Sequence, residues 1–338
     1  MGSVDIAAKN YLKDNVVFAD IFNYCLFQGE QRVKAEDLRE LDPVQTQRLM
    51  GRGAPLKDGE KATLNSRDLL KRAIVRSDGH AHYILRLGLE PQSWIDYAMP
   101  VRVGAYDFGE YQQQVKQIAR NHRNARDHRG HSRNEFMSGF YKDDYLIPVV
   151  TVVLYLGSEE WDGPLSIHEM MRGADPALLR QISDYKMNLL TPAEVTEEDL
   201  MLFRTSIREV LGYIKYSGDE QALDGYVSGN SRMNELDADA ARLIMEVTKT
   251  KLDIAKESKE VDMCKAIDDM KRHSREAGKE EGREEGREEG REEGMISTAR
   301  KMFEKGLSYD LVRTCTDELI TDQRLLDLQN SILMGTKA

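Results

Sequence analysis

The stretch DLLKRAIVRSDGHAHYILRLGLEPQ, residues 68–92, decides the fold of this 338-residue chain. In its second half the odd-numbered positions are apolar, whereas Arg86, Glu90 and Gln92 stand on even-numbered positions. Successive side chains of a strand point to opposite faces, so the pattern predicts a strand with these three residues on one face. The Ser-Asp-Gly sequence in the middle predicts a turn and an antiparallel hairpin. Such a hairpin brings Asp68 close to Glu90.

Asp68 and Glu90 together form a candidate metal site. Carboxylate oxygens are hard ligands, which suit Mg²⁺ or Mn²⁺ better than zinc. Gln92 follows on the face of Glu90, and its neutral amide can orient water or phosphate but cannot act as a base. Positive charge beside the acids is expected from Arg86, which shares the face of Glu90, or from Lys71.

Asp68, a gap and Glu90-x-Gln92 resemble the PD-(D/E)XK nuclease motif in its E-x-Q form. Three longer phrases extend the likeness: GLEPQSWIDYAMPVRVGAYD at 88–107, EFMSGFYKDDYLIPVVTVVLYLG at 135–157 and EEWDGP at 159–164. Together they resemble the recombination-promoting nuclease/transposase family, Rpn, of the PD-(D/E)XK nuclease superfamily. The similarity extends from KDNVVFADIFN near the start to VDMCKAI in the C-terminal third.

This resemblance implies an α/β fold with an αβββαβ nuclease core on a mixed sheet, followed by an α-helical C-terminal region. It implies a DNA endonuclease that hydrolyses phosphodiester bonds and promotes recombination, with Asp68, Glu90 and Gln92 as catalytic residues. Mg²⁺, or Mn²⁺ in its place, would be held by the two acids. Pro91 between acid and amide, and Gln92 in place of the motif's lysine, depart from the general pattern and leave the lysine's role open. The alternative is a nuclease-derived, weakly active or inactive protein that binds DNA or supports assembly.

The segment KNYLKDNVVFADIFNYCLF, residues 9–27, has apolar residues at helical spacing. Asp20 and Asn23 lie three positions apart and can project together from this helix. In the resembled family the FADIFN sequence recurs and an acid of the first helix can support the metal, so Asp20 is a third candidate ligand. The alternative, which we favour, is that Asp20 is a solvated polar residue of the helix.

The chain after the hairpin is predicted to be helical. Pro100 suits the first turn of a helix, and Arg102, Tyr106 and Glu110 recur at intervals of four. Arg102 is a candidate DNA contact, because its guanidinium fork matches the geometry of a phosphate. The alternative is that Arg102 neutralises Asp107 or Glu110.

Residues 146–157, LIPVVTVVLYLG, form a continuous β-branched run that predicts a strand buried on both faces. A further strand is predicted within residues 185–190, and residues 42–66, rich in Gly, Pro and charge, are predicted to be a surface loop. Helix, hairpin, helix and buried strand fit the αβββαβ order, with the site at one edge of the mixed sheet.

Residues 116–133 are basic, with six Lys or Arg, one Asp and three histidines. On a helix much of this charge falls along one stripe, so Arg123, Arg126 and Arg129 are predicted to contact DNA phosphates. The alternative is a solvated linker between helix and strand. A zinc site on the three histidines is disfavoured, because no cysteine or carboxylate cluster accompanies them.

The net charge of −11 is unevenly spread. Residues 1–150 carry 22 Lys+Arg against 20 Asp+Glu, a net +2, and the remainder carries 26 against 39, a net −13. The acidity of the C-terminal half therefore does not exclude DNA as a partner of the N-terminal half. With no long apolar run, no leader-like start and three widely spaced cysteines, we expect a cytoplasmic protein without a membrane partner.

Four segments are predicted: a nuclease-like domain in 1–195, a helical accessory region in 196–278, a (K/R)EEG repeat in 279–294 and a small helical segment in 295–338. Glycine at every fourth position of the repeat costs a helix about 1 kcal/mol per glycine. Glu–Arg pairs three apart return only about 0.2–0.5 kcal/mol each. We therefore favour an exposed connector over a helix packed on a partner, and predict that the C-terminal half supports homo-oligomer assembly or regulation.

Overall fold

The computed structural model describes residues 2–41, 44–46, 64–66, 68–76, 82–125, 130–252, 254–255, 257–316 and 320–335. The chain forms two compact units, Met1–Ala266 and Ile267–Ala338. Among the described residues, no helix is both long enough and apolar enough to cross a membrane.

The strands of the first unit are, in chain order, β1 (Arg39–Glu40), β2 (Val44–Thr46), β3 (Leu64–Ser66), β4 (Leu69–Arg76), β5 (His82–Gln92), β6 (Val149–Tyr155), β7 (Asn188–Leu190), β8 (Leu236–Asp237) and β9 (Glu260–Val261). Five of them form one sheet in the order β1-β4-β5-β6-β7. In this order β1, β4 and β5 pair antiparallel, whereas β5, β6 and β7 pair parallel. The predicted mixed sheet is therefore confirmed.

The helices that lie wholly in the first unit are α1 (Ser3–Leu12), α2 (Asn15–Phe27), α3 (Met99–Ala125), α4 (Arg133–Ser138), α5 (Pro176–Leu179), α6 (Glu197–Leu200), α7 (Ile207–Tyr216), α8 (Glu220–Gly229) and α9 (Ala238–Thr248). The prediction of a helix beginning near Pro100 is confirmed by α3. The predicted N-terminal helix is divided into α1 and α2, because the Asp14 carboxylate accepts hydrogen bonds from Val16 N and Val17 N and starts a new helix.

The strand β6 is buried between β5 and β7, as its β-branched sequence predicts. Helix α3 covers one face of this part of the sheet, because Met99 and Val103 pack against Val153 and Met187 in one apolar cluster. The predicted strand in residues 185–190 is confirmed in its last three residues, which form β7.

The predicted boundary between residues 195 and 196 falls inside the first unit. The Tyr11 hydroxyl lies 2.8 Å from Ser206 Oγ, and helix α1 packs against α9. Several apolar side chains of these helices are fully buried, namely Leu12, Ile207, Val210, Leu211, Leu243 and Ile244. The accessory helices thus share a core with the N-terminal helices.

The second unit contains the remainder of α10 (Met263–Glu304), α11 (Tyr309–Cys315) and α12 (Asp322–Gly335). Its apolar cluster consists of Ala299, Phe303, Val312, Ile320, Leu325 and Leu328. Helix α10 ends before Gly306, whose φ of +80° lies in the left-handed region that glycine adopts without strain. The short helices predicted after this glycine are confirmed by α11 and α12, whereas residues 295–304 belong to the long helix α10.

Two predictions about irregular segments are corrected. The repeat, residues 279–294, is a continuous part of α10, although its side chains are exposed as predicted. Within the predicted loop of residues 42–66, the described residues form the antiparallel β2–β3 pair. Residues 47–63 lie outside the part of the chain that the structure describes.

Candidate active site

The hairpin register places Asp68 opposite Glu90. Leu69 of β4 pairs with Leu89 of β5, so the next pair in the antiparallel ladder is Asp68 with Glu90. The main-chain N–H of Asp68 donates a hydrogen bond of 3.1 Å to Glu90 Oε1. The prediction that the hairpin brings these acids together is confirmed, and its turn, residues 77–81, lies outside the described ranges. The pair lies at the C-terminal end of the middle strand of the sheet, at one end rather than on an edge strand.

Glu90 is fully buried, and its charge is met by Arg102 of α3. The Arg102 Nη2 atom lies 3.3 Å from Glu90 Oε2, while Nη1 lies 3.2 Å from Asp96 Oδ2. Arg102 Nε donates to the Tyr106 hydroxyl at 3.2 Å. Burial raises the pKa of that phenol and the Glu90 charge adds to the effect, so Tyr106 stays neutral at pH 7. The alternative that Arg102 neutralises Asp107 or Glu110 is wrong, because its partners are Glu90 and Asp96.

Asp68 is met by a second cation from a distant part of the chain. Lys9 Nζ of helix α1 lies 2.5 Å from Asp68 Oδ1, and the two side chains are 28% and 22% exposed. The two residues are 59 positions apart, and nothing in the local sequence marks Lys9 as a site residue. Sequence reasoning therefore missed it.

The two cations predicted beside the acids have other partners. Arg86 Nη1 donates to both carboxylate oxygens of Glu110, at 2.6 and 3.1 Å. Lys71 pairs with Leu87, so it lies on the opposite face of the sheet from Glu90. Its Nζ donates to Lys13 O at 2.5 Å and to Asn15 Oδ1 at 2.7 Å.

Burial lowers the pKa of Lys71, which is only 1% exposed. Its Nζ also lies 4.7 Å from the ring centre of Phe18, a cation–π contact. Lys71 therefore serves the packing of the N-terminal helices. In the described part of the chain, the positive charge at the acid pair comes from Lys9 and Arg102.

Gln92 ends β5 and is 5% exposed. Its main-chain carbonyl oxygen accepts a hydrogen bond from Leu156 N at 2.8 Å, which keeps this end of β5 paired with β6. Pro91 lies beyond the last β4–β5 pair, so its missing N–H costs no hydrogen bond of that ladder. This accounts for a proline inside a central strand.

Asp20 is 3% exposed and joins α2 to the chain just before α7. Its Oδ2 accepts hydrogen bonds from Arg204 N, Thr205 N and Thr205 Oγ1, at 2.8, 2.7 and 2.8 Å. Its Oδ1 is buried and accepts no hydrogen bond from the described residues. The solvated alternative for Asp20 is wrong, because the carboxylate is an interior linking group, and its role as a metal ligand stays a prediction.

The other polar residues of the site region have structural partners. Asn23 exchanges two hydrogen bonds with the main chain of Val33, at 2.8 and 2.9 Å. Asp107 accepts from Thr151 Oγ1 at 2.6 Å and from the Tyr185 hydroxyl at 2.5 Å. The two bonds of Asp107 fix the orientation of α3 on the sheet, and so the position of Arg102.

The basic stretch begins on the last turns of α3. Lys116, Arg120 and Arg123 are all exposed there, while Arg126 and Arg129 lie outside the described residues. The stretch is helical up to Ala125, so the alternative of a linker is wrong for its first ten residues.

Two of the three histidines pack around one tyrosine. The ring centres of His122 and His131 lie 3.8 and 4.0 Å from the ring centre of Tyr141. His122 Nε2 also lies 2.8 Å from Asp144 Oδ2. His128 lies outside the described residues. Across the described ranges, no group of three or more His, Cys, Asp or Glu is arranged to hold a metal ion.

No family model, no curated protein and no solved structure matches the chain.

Proposed function

We propose that this protein is a metal-dependent DNA endonuclease with a PD-(D/E)XK-like core, acting in recombination as the resemblance to the Rpn family implies. The observation that carries the proposal is the hydrogen bond from the Asp68 main chain to the Glu90 carboxylate, which places the two acids side by side at the end of the central strand. A buried acid beside a partly exposed acid and an arginine is a combination suited to phosphodiester chemistry. The three cysteines are thiols, which suits the reducing cytoplasm.

The residue types at the acid pair suit a magnesium ion. Mg²⁺ is commonly bound by one or two protein carboxylates, with water and substrate phosphates completing its coordination. Asp68 and Glu90 supply two carboxylates, and the Gln92 amide follows on the same strand face. When bound, Mg²⁺ or Mn²⁺ polarises the scissile phosphate and lowers the pKa of an attacking water.

Lys9 and Arg102 explain how the site can act without the lysine of the general motif. Each cation contacts one of the two acids, Lys9 at Asp68 and Arg102 at Glu90. Arg102 is 34% exposed, so its guanidinium fork can bind a phosphate oxygen while it remains beside Glu90. Lys9 supplies the second positive charge from helix α1, and Gln92 orients water or phosphate.

DNA is the proposed substrate because exposed basic residues continue from the site along α3. Lys116, Arg120 and Arg123 lie on the same helix as Arg102. Neutralising phosphates with Lys and Arg releases counterions and favours DNA binding regardless of sequence. Arg126 and Arg129 extend the proposed contact along the sequence.

The test is cleavage of supercoiled plasmid with Mg²⁺, with Mn²⁺ and with chelator. Asp68→Ala and Glu90→Ala are expected to abolish cleavage, because each removes a ligand, whereas Gln92→Ala is expected to be milder. Asp143→Ala, at an exposed acid outside the site, is the matched control and should cut like the parent. Circular dichroism should show that all four variants are folded. Cleavage by Asp68→Ala at the parent rate and equal metal would show that the assignment is wrong.

A second candidate is a nuclease-derived protein that binds DNA without cutting it. It is favoured by one observation: both acids are engaged by cations, with Lys9 only 2.5 Å from Asp68. In that case the plasmid should be retarded on a gel but remain supercoiled with either metal, and Asp68→Ala should bind DNA at least as tightly as the parent.

A further inference from the structure

The loop between β5 and α3, residues 93–98, presents two large aromatic side chains to solvent beside the acid pair. Trp94 is 60% exposed and Tyr97 is 58% exposed. Single exposed aromatic residues are common on protein surfaces, but two of them in one short loop beside a candidate site form a candidate ligand surface.

This loop is anchored to two residues outside it, Arg102 and Asp162. The Asp96 carboxylate accepts hydrogen bonds from Arg102 Nη1 at 3.2 Å and from Ala98 N at 2.9 Å. The Tyr97 hydroxyl donates to Asp162 Oδ1 at 2.9 Å. These contacts hold Asp96 and the Tyr97 ring in place before any ligand arrives, which reduces the cost of binding there.

The inner side of the loop is closely packed. A Cβ on Gly163 would lie 3.1 Å from Ile95 Cγ2 and 2.9 Å from Trp161 Nε1, so the glycine permits this approach. Ile95 thus faces the 161–163 segment, while its neighbour Trp94 is largely exposed.

The loop is also close to the acids along the chain. Trp94 follows Glu90 by four residues, and four residues span at most about 14 Å. This is about four times the 3.4 Å axial step between phosphates of one DNA strand. A strand with a phosphate at Glu90 and Arg102 would therefore carry a base a few nucleotides away to Trp94.

We propose that Trp94, with Tyr97 beside it, is a stacking platform for an unpaired nucleobase, so that the preferred substrate is single-stranded DNA or a duplex with an unpaired end or flap. The placement beside a cut phosphate rests on the proposed nuclease function. Bases inside a duplex are stacked on each other and cannot cover a protein ring, whereas an unpaired base of any identity offers a π-face.

The exposed basic residues of α3 favour a nucleic acid over an apolar protein segment as the occupant. Arg102 and Lys9 beside the loop are paired with Glu90, Asp96 and Asp68, so the charge offered to phosphates is that of Lys116, Arg120 and Arg123 further along α3. Exposed aromatic rings together with basic residues that follow the backbone are the combination that single-stranded nucleic acid binds.

The experiment measures binding of the full chain to fluorescein-labelled dT20 and to a labelled 20-base-pair duplex by anisotropy, in chelator so that no cleavage occurs. Trp94→Ala is expected to weaken dT20 binding roughly 5- to 100-fold, the range that base–aromatic stacking gives, and to leave duplex binding unchanged. Trp94→Phe should retain most of the affinity. Phe108→Ala is the matched control, because Phe108 of α3 is also 58% exposed.

A second readout uses the two tryptophans of the chain. In a Trp161→Phe variant, Trp94 is the sole tryptophan, and dT20 should quench its fluorescence while the duplex should not. Equal dT20 affinity of Trp94→Ala and parent would overturn the platform, as would an equal loss for duplex and single strand. Binding of an apolar peptide at Trp94, with no effect of dT20, would assign the surface to a protein partner instead.

The two proposals fail separately. If Trp94-dependent binding of dT20 occurs but no DNA is cut with Mg²⁺ or Mn²⁺, the platform stands and the nuclease function falls. If DNA is cut but Trp94→Ala binds and cuts dT20 and duplex like the parent, the nuclease function stands and the platform falls.

Discussion

Arg102 is the residue that connects the buried Glu90 to the loop after β5, through its second contact with Asp96. A carboxylate with no exposed surface depends on such a partner, because an uncompensated interior charge is costly. By contrast, Lys9 and Asp68 are both partly exposed, and water can replace their ion pair. Removal of Arg102 is therefore expected to lower the free energy of unfolding more than removal of Lys9.

We predict that Arg102→Gln lowers the free energy of unfolding by about 1–3 kcal/mol, since the arginine is one-third exposed and a fully buried pair would cost more. Lys9→Gln should lower it by less than about 1 kcal/mol. Urea unfolding monitored by circular dichroism measures both. Adding Glu90→Gln to Arg102→Gln should restore part of the loss, and a double variant as unstable as the sum of the single ones would contradict the pairing.

The sequence was sufficient to place Asp68 beside Glu90, because alternation and a turn signal determine the register of a hairpin locally. The sequence was not sufficient to predict which cations contact the two acids. Arg86 does share the face of Glu90, but Glu110 binds it, and the helix phase that decides between Glu90 and Glu110 depends on how α3 packs. Lys9 lies far away along the chain, so only the tertiary fold brings it to Asp68.

Helix α3 joins the site to the basic stretch, and its exposed basic residues allow a test of DNA contact. Replacing Lys116, Arg120 and Arg123 together by Gln should reduce the slope of log K against log salt by about 2.7, at about 0.9 per phosphate. The slope is measured by fluorescence anisotropy with a duplex at salt concentrations from about 50 to about 200 mM, because the effect is large over this range.

The matched control makes the same change of charge in the repeat. Arg283, Arg287 and Arg291 are exposed residues of α10, and replacing them by Gln should leave the slope unchanged. Equal slopes for the two triple variants would mean that the basic end of α3 does not contact phosphates.

The repeat forms a helix in spite of its glycines because the flanking sequence already supports one. Helix formation is costly to start but inexpensive to extend. Ala299 and Phe303 anchor the end of α10 in the apolar cluster of the second unit. The glycine propensities and Glu–Arg pair energies of the repeat alone do not include the packing of Ala299 and Phe303. For that reason they favoured a connector over a helix.

We predict that replacing Gly282, Gly286 and Gly290 by Ala stabilises α10 by about 1 kcal/mol per position. A Cβ added at any of the three meets nothing within 4 Å, so no clash opposes the gain. Hydrogen exchange of the repeat amides should slow accordingly. Gly306→Ala is the control of opposite sign, because its φ of +80° strains an alanine. Faster exchange in the triple variant would show that the glycines serve another contact.

The first unit holds together through contacts between its N-terminal helices and the accessory helices, and these decide where the chain can be cut. A chain ending at Leu190 loses α7 and α9, which uncovers Tyr11 and leaves Asp20 without its partners. We predict that it will not give a cooperative unfolding transition.

A chain ending at Gly278 retains the whole first unit and is the matched comparison. It should unfold cooperatively by circular dichroism and keep any metal-dependent cleavage. If the homo-oligomer depends on the second unit, its mass by light scattering should also fall to that of a monomer. A cooperative, active chain ending at Leu190 would contradict the shared core.

At the scale of the whole chain, four of the five strands of the sheet could be predicted because their signals are local and repetitive, whereas the two-residue strand β1 carries no such signal. The shared core could not, since the helices of residues 196–248 carry the same periodicity whether they pack on a partner, on each other or on α1. Pairs such as Tyr11 with Ser206 leave no signal in one sequence.

The separation of those pairs has a consequence for synthesis. The Tyr11–Ser206 and Asp20–Thr205 contacts span 195 and 185 residues. At about 5–20 residues per second on the ribosome, roughly 10–40 s pass between the emergence of the first partner and the second. During that interval the apolar faces of the nascent N-terminal helices stay exposed, because the helices that cover them have not yet been synthesised. This unit is therefore expected to complete its fold late in translation, and its early segments are natural clients for ribosome-associated chaperones.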